Sequence, residues 1–464
     1  MSTRNICSEC ITKQEEIYRL REENQRLKAQ LRRQQRKATE GYFGSSTPSS
    51  KKPVKKNSET NGDEKKRGGA KAGHKGNGRQ VFSREQADRV EEINIEGDCP
   101  KCGSDDLTYL ERRERIVIEY IVKREKVVYR IERNRCNGCG TIVQAKAPGV
   151  LSKNLLSNNL LAHVATEHYL NGIRLGHLER QTGVNIGSLI QAMHQLSRLF
   201  KDVPDKLIQE YRMAAVKHAD ETGWRNNGQN GYGWIFVSKD TCIFRFRNSR
   251  AGKVAQDVFG ENELPGVLVV DRYAGYNKSP CHIQYCYAHL LRLVQDLEKE
   301  FPDNEEAKKF VQVFAPLLAE AMNLRALPVS DKEFYKRAKR TKGEILKIVN
   351  SEANHFGIQK IQDIFRENQH RLYHWADNRD VPADNNFAER ELRPLVMARK
   401  VSFGSHSETG VKTREVLMTV LRTLKMRTHD DPKIAFVNAL NRIAQNPKND
   451  AYNALFNWDN FDYL

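Results

Sequence analysis

The run GVLVVD, residues 266–271, restricts the fold of this chain more than any other stretch. Four consecutive apolar residues, Val267 to Val270, leave no polar face, which is typical of a strand that is covered on both sides. Upstream, the alternating residues 213–225 predict one strand, and residues 231–250 predict two strands around a polar turn at 238–241. Three antiparallel strands followed by a crossover and a buried fourth strand indicate an α/β sheet.

A carboxylate follows the buried strand directly, at Asp271. Ligands of α/β sheets collect beyond the carboxyl ends of such strands, and Asp220 is predicted near the end of the first strand, where it could stand beside Asp271. Two close carboxylates repel each other unless a cation neutralises them, and a site made only of oxygen ligands suits Mg²⁺ or Mn²⁺. We therefore expect a third acid from a later helix that packs beside the sheet.

The best source of that third acid is the stretch after Pro382, where Asp384 or Asn385 can begin a helix. Glu389 follows about one turn into this helix, and Glu391 points about 200° away from it. Both acids cannot face the same cation. The residue pattern alone leaves either of them as a candidate.

Two Cys-x2-Cys pairs, each followed by a glycine, predict a structural zinc site. Tight turns at the glycines would aim four thiolates at one tetrahedral ion, and the β-branched residues between the pairs can form the strands of a zinc ribbon. A closed site of this kind is structural and takes no part in catalysis. The alternative is that the cysteine pairs have this spacing by coincidence and bind no metal. The predicted ligands are Cys99, Cys102, Cys136 and Cys139.

The front of the chain is charged and helical. Ile17, Leu20, Asn24, Leu27 and Leu31 fall at spacings of three and four, which predicts a short coiled coil and self-association; a solvated or partner-binding single helix is the alternative. Cys7 and Cys10 could bind zinc together with a second pair of ligands, but by themselves they do not predict a site. The segment that follows the helix is rich in Lys, Gly and Ser and predicts a disordered basic linker, which either grips phosphates or acts as a spacer.

The pattern around the turn glycine Gly183 predicts helix, tight turn, helix. This unit either sets a recognition helix in a DNA groove or is an ordinary packed hairpin. The net charge of +18, from 77 Lys and Arg against 59 Asp and Glu, favours a polyanionic partner. No apolar run is long enough for a membrane span, and residues 1–16 lack the apolar core of a signal peptide, so we expect a cytoplasmic protein.

The segments HADETGWR, VLVVDRYAGYN, CYAHLLRLVQDLEKEF, VPADNNFAERELRPLVMARKVSFGSHSETG and REVLMTVLRTLK together resemble the transposases of the insertion-sequence-66 family. The resemblance implies a DDE-class enzyme with an RNase H-like core, in which Asp220, Asp271 and Glu389 bind catalytic Mg²⁺ or Mn²⁺. It also settles Glu389 over Glu391, because NNFAE matches the family motif. The implied activity is cleavage at transposon ends and transfer of the 3′ hydroxyl into target DNA.

The implied partners are double-stranded DNA, further copies of the chain, and small accessory proteins of the same element, in the bacterial cytoplasm or nucleoid. We expect support for DNA or for the active site from five further residues: His289, Arg390, Arg393, Arg399 and Lys400. His289 lies with Cys286 in CYAH, close to Cys281, and an ordinary structural histidine is its alternative reading. For each of the four Arg and Lys residues, the alternative is an ordinary surface charge.

The chain is thus predicted to be multidomain, with an α/β RNase H-like core interrupted by an all-helical insertion. The predicted segments are a coiled-coil helix (1–40), a basic disordered linker (41–80), a zinc ribbon (81–150), a helical DNA-binding domain (151–210), the first part of the core (211–300), the helical insertion (301–380), the second part of the core (381–430) and a C-terminal helical segment (431–464). Two rival functions remain: a DNA-binding regulator derived from a transposase that no longer reacts, and a metal-dependent nuclease that cuts without joining.

Overall fold

The computed structural model describes residues 8–40 and 124–457, with a few isolated positions between them (86, 90, 92, 101, 103–105 and 109). The chain divides into two compact units, residues 1–55 with 130–464, and residues 56–129. The predicted linker, residues 41–80, lies outside the described residues. Cys7, Cys99 and Cys102 lie outside them as well.

The larger unit begins with a long helix and a small hairpin, followed by four helices. These are α1 (Ser8–Glu40), β1 (Arg133–Arg135), β2 (Ile142–Gln144), α2 (Asn158–Tyr169), α3 (Leu175–Thr182), α4 (Ile186–Leu199) and α5 (Val203–Met213). In α1 the apolar side chains at the predicted coiled-coil positions are exposed, namely Ile17, Leu20, Leu27 and Leu31. Self-association through them stays a prediction.

The predicted helix, turn, helix unit is confirmed as α3 and α4. Gly183 ends α3 in the left-handed region with φ of 65°, and the Asn185 side chain accepts the Gly187 N–H at 2.9 Å to begin α4. Leu178 and Leu189 are buried on the inner faces of the two helices. The local turn chemistry therefore produces this unit directly from its sequence.

A mixed sheet forms the centre of the larger unit. Its strands are β3 (Val216–Asn226), β4 (Gln229–Val237), β5 (Cys242–Arg247), β6 (Val267–Val270), β7 (His282–Tyr285) and the short β8 (Gly404–Ser405). The order across the sheet is β5, β4, β3, β6, β7, with β8 pairing beside β3. The strands β3, β4 and β5 pair with one another in antiparallel fashion, whereas β6 pairs parallel with both β3 and β7, and β8 pairs parallel with β3. The helix α6 (Lys253–Phe259) precedes β6, so the predicted crossover and buried fourth strand are confirmed.

The prediction that Asp220 lies near the end of its strand is wrong. β3 continues to Asn226, because the tight turn at Asn227 and Gly228 folds the chain back and lets β4 pair with β3 from His218 to Asn226. It is the neighbouring strand β6 that ends early. Asp220 therefore lies in the middle of β3 but level with the end of β6.

A group of helices follows β7 before the chain returns to the sheet. They are α7 (Tyr287–Glu300), α8 (Glu305–Leu324), α9 (Asp331–Val349), α10 (Phe356–Glu367), α11 (His374–Asp377) and α12 (Asn386–Ser402). The two ends of this excursion meet, because the Tyr287 N–H donates to the Ala383 carbonyl at 2.7 Å. The segment from α8 to α11 thus leaves the sheet region and returns to it at neighbouring points.

The outer edge of the sheet is covered by α13 (Glu408–Arg427), which precedes α14 (Pro432–Gln445) and α15 (Ala451–Phe456). Thr419 Oγ1 accepts the Phe244 N–H at 2.9 Å, and Thr423 Oγ1 accepts the Cys242 N–H at 3.0 Å. These hydroxyls satisfy donors of β5 that no strand pairs. In the part of the chain that the structure describes, no helix is long and apolar enough to cross a membrane.

Candidate active site

Asp220 and Asp271 are brought together by the pairing of β3 with β6. His218 lies opposite Val269 in this parallel pair, so two residues further on Asp220 and Asp271 reach the same level. Side chains two apart in a strand point to the same face, and paired residues share that face. The two carboxyls therefore project on one side of the sheet, directly beyond the end of β6.

Burial and nearby negative charges raise the pKa of both carboxyls. Burial raises the pKa of Asp220 well above its usual value, and the nearby carboxyls of Glu221, Asp271 and Glu389 raise it further. Burial likewise raises the pKa of Asp271 to about 8, with Glu221 adding to the effect and the Arg250 guanidinium opposing it. The fold thus gathers acids where their negative charge is costly.

Each aspartate has one oxygen held by the backbone. Asp220 Oδ1 accepts the Glu221 N–H at 2.8 Å, and Asp271 Oδ1 accepts the Tyr273 N–H at 2.9 Å. The second oxygen of each carboxyl accepts no hydrogen bond from the described residues. Backbone bonds therefore orient both side chains and leave one oxygen on each for another ligand.

Glu389 lies in the first turn of α12, as expected, and its charge reaches both aspartates. Its Oε1 is buried and has no hydrogen-bond partner among the described residues. Glu391, the rival acid, instead forms an ion pair with Arg422. The described contacts thus distinguish the two glutamates. An arginine neutralises Glu391, whereas Glu389 lies beside the aspartates.

Asn385 fastens the start of α12 to the strand that carries Asp220. Its Nδ2 donates to the Ala219 carbonyl at 2.9 Å, its Oδ1 lies 2.9 Å from His218 Nδ1, and its N–H donates to Cys286 Sγ at 3.1 Å. We expected Asp384 or Asn385 to cap the helix. Asn385 occupies the cap position, but its side chain makes no cap bond and reaches across to β3, while Asp384 accepts the Asn386 N–H at 3.0 Å.

The His218 ring is a neutral donor in this arrangement. Because Asn385 Nδ2 already donates to Ala219, its Oδ1 must accept, so His218 Nδ1 carries the proton. Burial lowers the pKa of His218 to about 4, which keeps the ring uncharged. Sequence reasoning missed this pair, although the position of His218 two residues before Asp220 placed its side chain on the same face of the sheet.

Glu221 belongs to a separate network on the opposite face. The Arg250 Nε donates to Glu221 Oε1 at 2.8 Å, and the Tyr276 hydroxyl donates to Glu221 Oε2 at 2.5 Å. The Tyr273 hydroxyl donates in turn to the Arg250 carbonyl. Glu221 therefore holds the loop after Asp271 against β3, a role that its sequence position gave no reason to expect.

The five predicted supporting residues have different surroundings. Arg390, Arg393 and Lys400 are exposed on α12, whereas Arg399 donates to Thr222 Oγ1 at 3.0 Å and to the Gly223 carbonyl at 2.6 Å. His289 lies half-buried in the first turn of α7. Arg399 thus ties the end of α12 to β3, and three of the four predicted cations face solvent.

Within residues 8–40 and 124–457, no group of three or more His, Cys, Asp or Glu side chains stands in an arrangement that could hold a metal ion as it is. The chemistry of the donors nevertheless fits a divalent cation. Asp220 and Asp271 each offer a carboxyl oxygen, and the buried Glu389 Oε1 lacks a partner. A cation that binds oxygen ligands would relieve the repulsion among the three acids.

Cys136 and Cys139 occupy a tight turn between β1 and β2. The Gly140 N–H donates to the Cys136 carbonyl at 2.8 Å, and Gly140 adopts a φ of 75°. Gly103, which follows the other cysteine pair in sequence, has a φ of 70°. A hydrogen bond with Thr141 lowers the pKa of the Cys139 thiol, which favours the thiolate that metals bind. Both glycines thus adopt the turn conformation that the zinc prediction required.

Comparison with known proteins supplies the family context. The family model described as Transposase IS66 family matches residues 153–413, a range that contains Asp220, Asp271 and Glu389. The chain is 23% identical over 414 residues to Uncharacterized protein y4qI of Sinorhizobium fredii, covering 80% of this chain and 76% of that protein. It is also 23% identical over 408 residues to Uncharacterized protein y4hP of the same organism, covering 77% and 72% of the two chains.

Replacing Asn385 tests the attachment of α12 to β3. Asn385→Ala leaves the Ala219 carbonyl and the His218 N–H without partners, which is expected to lower the free energy of unfolding by about 2 kcal/mol or more. It should also speed hydrogen exchange in the first turn of α12, measured by mass spectrometry. Asn386→Ala, at the exposed neighbouring position, serves as the control. Wild-type protection of that turn in Asn385→Ala would contradict the assignment.

The raised pKa of Asp271 predicts a pH-dependent stability in the absence of divalent ions. Its folded pKa of about 8 exceeds the unfolded value of 3.8, so the folded state binds the extra proton and loses stability as the pH rises between these values. Asp271→Asn should remove this loss, which amounts to at most about 1.4 kcal/mol per pH unit. Urea unfolding at pH 5 and pH 8 in EDTA measures the difference. Asp380→Asn, at an exposed acid, should leave the wild-type pH dependence in place, and parallel curves for all three proteins would refute the prediction.

Proposed function

The chain belongs to the IS66 family of transposases, and we propose that it cuts DNA at the ends of a mobile element and joins the freed 3′ ends to target DNA. The observation that carries this proposal is that Asp220 and Asp271 lie at one level of the sheet, close enough to Glu389 for its charge to act on both. Burial is the main cause of the raised pKa of each aspartate, and the Glu389 carboxyl adds to it. Three acids gathered in this way suit phosphoryl transfer assisted by divalent cations.

The strand order supports a catalytic core of the RNase H-like kind. Three antiparallel strands continue into two parallel ones, and the acids come from the first strand, from the end of the fourth and from a later helix. We assign the core to residues 211–300 and 381–430, with the helical segment 301–380 as an insertion. This division follows the predicted segments and rests on the helices α8 to α11 between the two parts.

In the proposed mechanism, Asp220, Asp271 and Glu389 would hold Mg²⁺ or Mn²⁺. When bound, these ions polarise the scissile phosphate and help a water, and later a 3′ hydroxyl, to lose its proton. The backbone N–H groups of Glu221 and Tyr273 orient the two aspartates through hydrogen bonds. The hydrogen bond from Asn385 to the Ala219 carbonyl keeps the start of α12, and with it Glu389, on the same side of the sheet. The chain's own task is therefore to position acids and DNA in line.

DNA binding is assigned to cations and to the helical unit. Arg390, Arg393 and Lys400 project from the helix that carries Glu389 and are available to phosphates. The pair α3 and α4 and the predicted zinc ribbon would recognise the element's terminal sequences. Joining two ends in one complex calls for at least two chains, for which the exposed seam of α1 offers a contact, and accessory proteins of the same element are further candidate partners.

The catalytic assignment is tested with labelled DNA ends of the native element and Mg²⁺ or Mn²⁺. Asp220→Asn, Asp271→Asn and Glu389→Gln should each bind DNA but lose cleavage and joining by about 1,000-fold or more, as expected when a group that binds catalytic metal is removed. Glu391→Gln, on the same helix, should retain both reactions in whatever fraction is folded.

Other outcomes of this assay assign the protein differently. Cleavage by the wild-type chain without joining would identify a nuclease. DNA binding without either reaction, even with accessory proteins supplied, would identify a regulator. Equal loss of activity in Glu391→Gln and Glu389→Gln, with both proteins folded, would remove Glu389 from its assigned role.

The zinc assignment is tested by metal content. We expect one zinc ion per purified chain, bound by Cys99, Cys102, Cys136 and Cys139, and measured by plasma mass spectrometry. Cys136→Ser and Cys139→Ser should lose it, since four thiolates are needed to close the site. Cys281→Ser, which changes a cysteine outside the predicted site, is the matched control. Full zinc content in the Cys136 and Cys139 variants would refute the site.

A further inference from the structure

The ring of Phe403 projects into solvent immediately after the helix that carries Glu389. The residue is 74% exposed, and its backbone has a φ of 60°, in the left-handed region that favours glycine. A bulky residue that is both exposed and strained contributes little to the stability of the fold. Its presence at such a position therefore points to a contact outside the chain.

The backbone on both sides of Phe403 is firmly held. The Phe403 N–H donates to the Arg399 carbonyl at 2.8 Å, and the next two residues form β8 beside β3. Gly404 has no room for a side chain, because a Cβ would lie 2.2 Å from the Arg225 carbonyl oxygen. Ser405 Oγ accepts the Trp224 Nε1–H at 3.2 Å. The exposed ring is therefore carried by a fixed stretch of backbone.

The surroundings of this ring are cationic. Arg393, Met397 and Lys400 follow at spacings of four and three, so they form one exposed stripe along α12 that leads toward Phe403. Arg393 and Lys400 form no ion pair with any described residue. Arg225, whose backbone pairs with Gly404, is exposed as well. An aromatic ring flanked by cations is the combination with which proteins bind the bases and phosphates of nucleic acids.

We propose that Phe403 inserts against the base stack of the bound DNA and partly unstacks one base step, while Lys400 and Arg225 contact the flanking phosphates. This inference rests on the proposed function. Phe403 follows Glu389 by fourteen positions, a rise of roughly 20 Å at 1.5 Å per residue. With α12 running along the DNA, at 3.4 Å per nucleotide, the contacted step lies about six nucleotides from the phosphate that is cut. A second copy of the chain would cover the ring without needing the cationic stripe, and so fits these observations less well.

The experiment places 2-aminopurine singly at four to eight nucleotides from the cleavage point of a native DNA end. The full-length wild-type chain should raise its fluorescence at one or two adjacent positions, because unstacking relieves quenching. Phe403→Gly removes the ring and relieves the strained backbone, so its thermal midpoint should equal or exceed the wild-type value. This variant should lose the fluorescence change and bind the DNA end about 10-fold more weakly.

Two further variants complete the design. Phe403→Trp should restore the fluorescence change and the affinity, since a larger ring serves the same contact. Ile434→Ala, which removes an exposed apolar side chain from α14, should behave as wild type. A gain in stability combined with a loss of DNA contact is a result that a structural role for Phe403 would not produce.

The remaining outcomes distinguish the two proposals. If the wild-type chain cleaves DNA but Phe403→Gly gives the same fluorescence and affinity, this inference fails and the proposed function stands. If the wild-type chain neither binds nor cleaves, both fail together. If Phe403→Gly changes the sedimentation coefficient and leaves the fluorescence response intact, the ring contacts another copy of the chain, and the DNA contact is refuted.

Discussion

The candidate site depends above all on the parallel pairing of β3 with β6. This pairing sets Asp220 and Asp271 at one level and on one face, although a crossover of some fifty residues separates them in sequence. A shift of the pairing by one residue would send one carboxyl to the opposite face of the sheet. The pairing is fixed at its start, where the Val267 N–H donates to the Ala215 carbonyl at 2.9 Å and where a Cβ at Gly266 would lie 2.2 Å from the same oxygen. The backbone contacts at the beginning of β6 thus fix the position of the acid that follows the strand.

Two polar networks hold the remaining parts of the site against this pair of strands. On one face Asn385 joins the start of α12 to Ala219 and His218, and on the other Glu221 joins the loop after Asp271 to Arg250. Buried polar groups are costly unless their hydrogen bonds are satisfied, and in exchange they select one arrangement of the elements they join. The register of the paired strands therefore brings the two aspartates together, and hydrogen bonds hold the neighbouring elements in place. Burial and, to a smaller extent, the neighbouring carboxyls raise the pKa of both aspartates, so the folded arrangement disfavours their negative charge.

Local features of the fold could be predicted from the sequence, and long-range partners could not. The buried strand before Asp271, the hairpin of β4 and β5, and the helix that carries Glu389 follow from residue patterns within one segment. The position of Asp220 in the middle of β3 was missed, because the second half of the strand depends on the turn at Asn227 and on pairing with β4. Side-chain partners were missed for the same reason. His218 and Asn385 are 167 positions apart, and no local pattern marks an amide that crosses to a strand instead of capping its own helix.

The hydrogen bond between Tyr287 and Ala383 has a consequence for the engineering of the chain. Because this bond joins the two ends of the segment that contains α8 to α11, the end of β7 and the start of α12 stay close to each other where the segment leaves and rejoins the sheet. We expect changes of length in the turns of this segment to leave Glu389 in place as long as Leu372 keeps its contacts with Gln284 and Tyr287. The turns between its helices are therefore the natural place to graft a foreign domain.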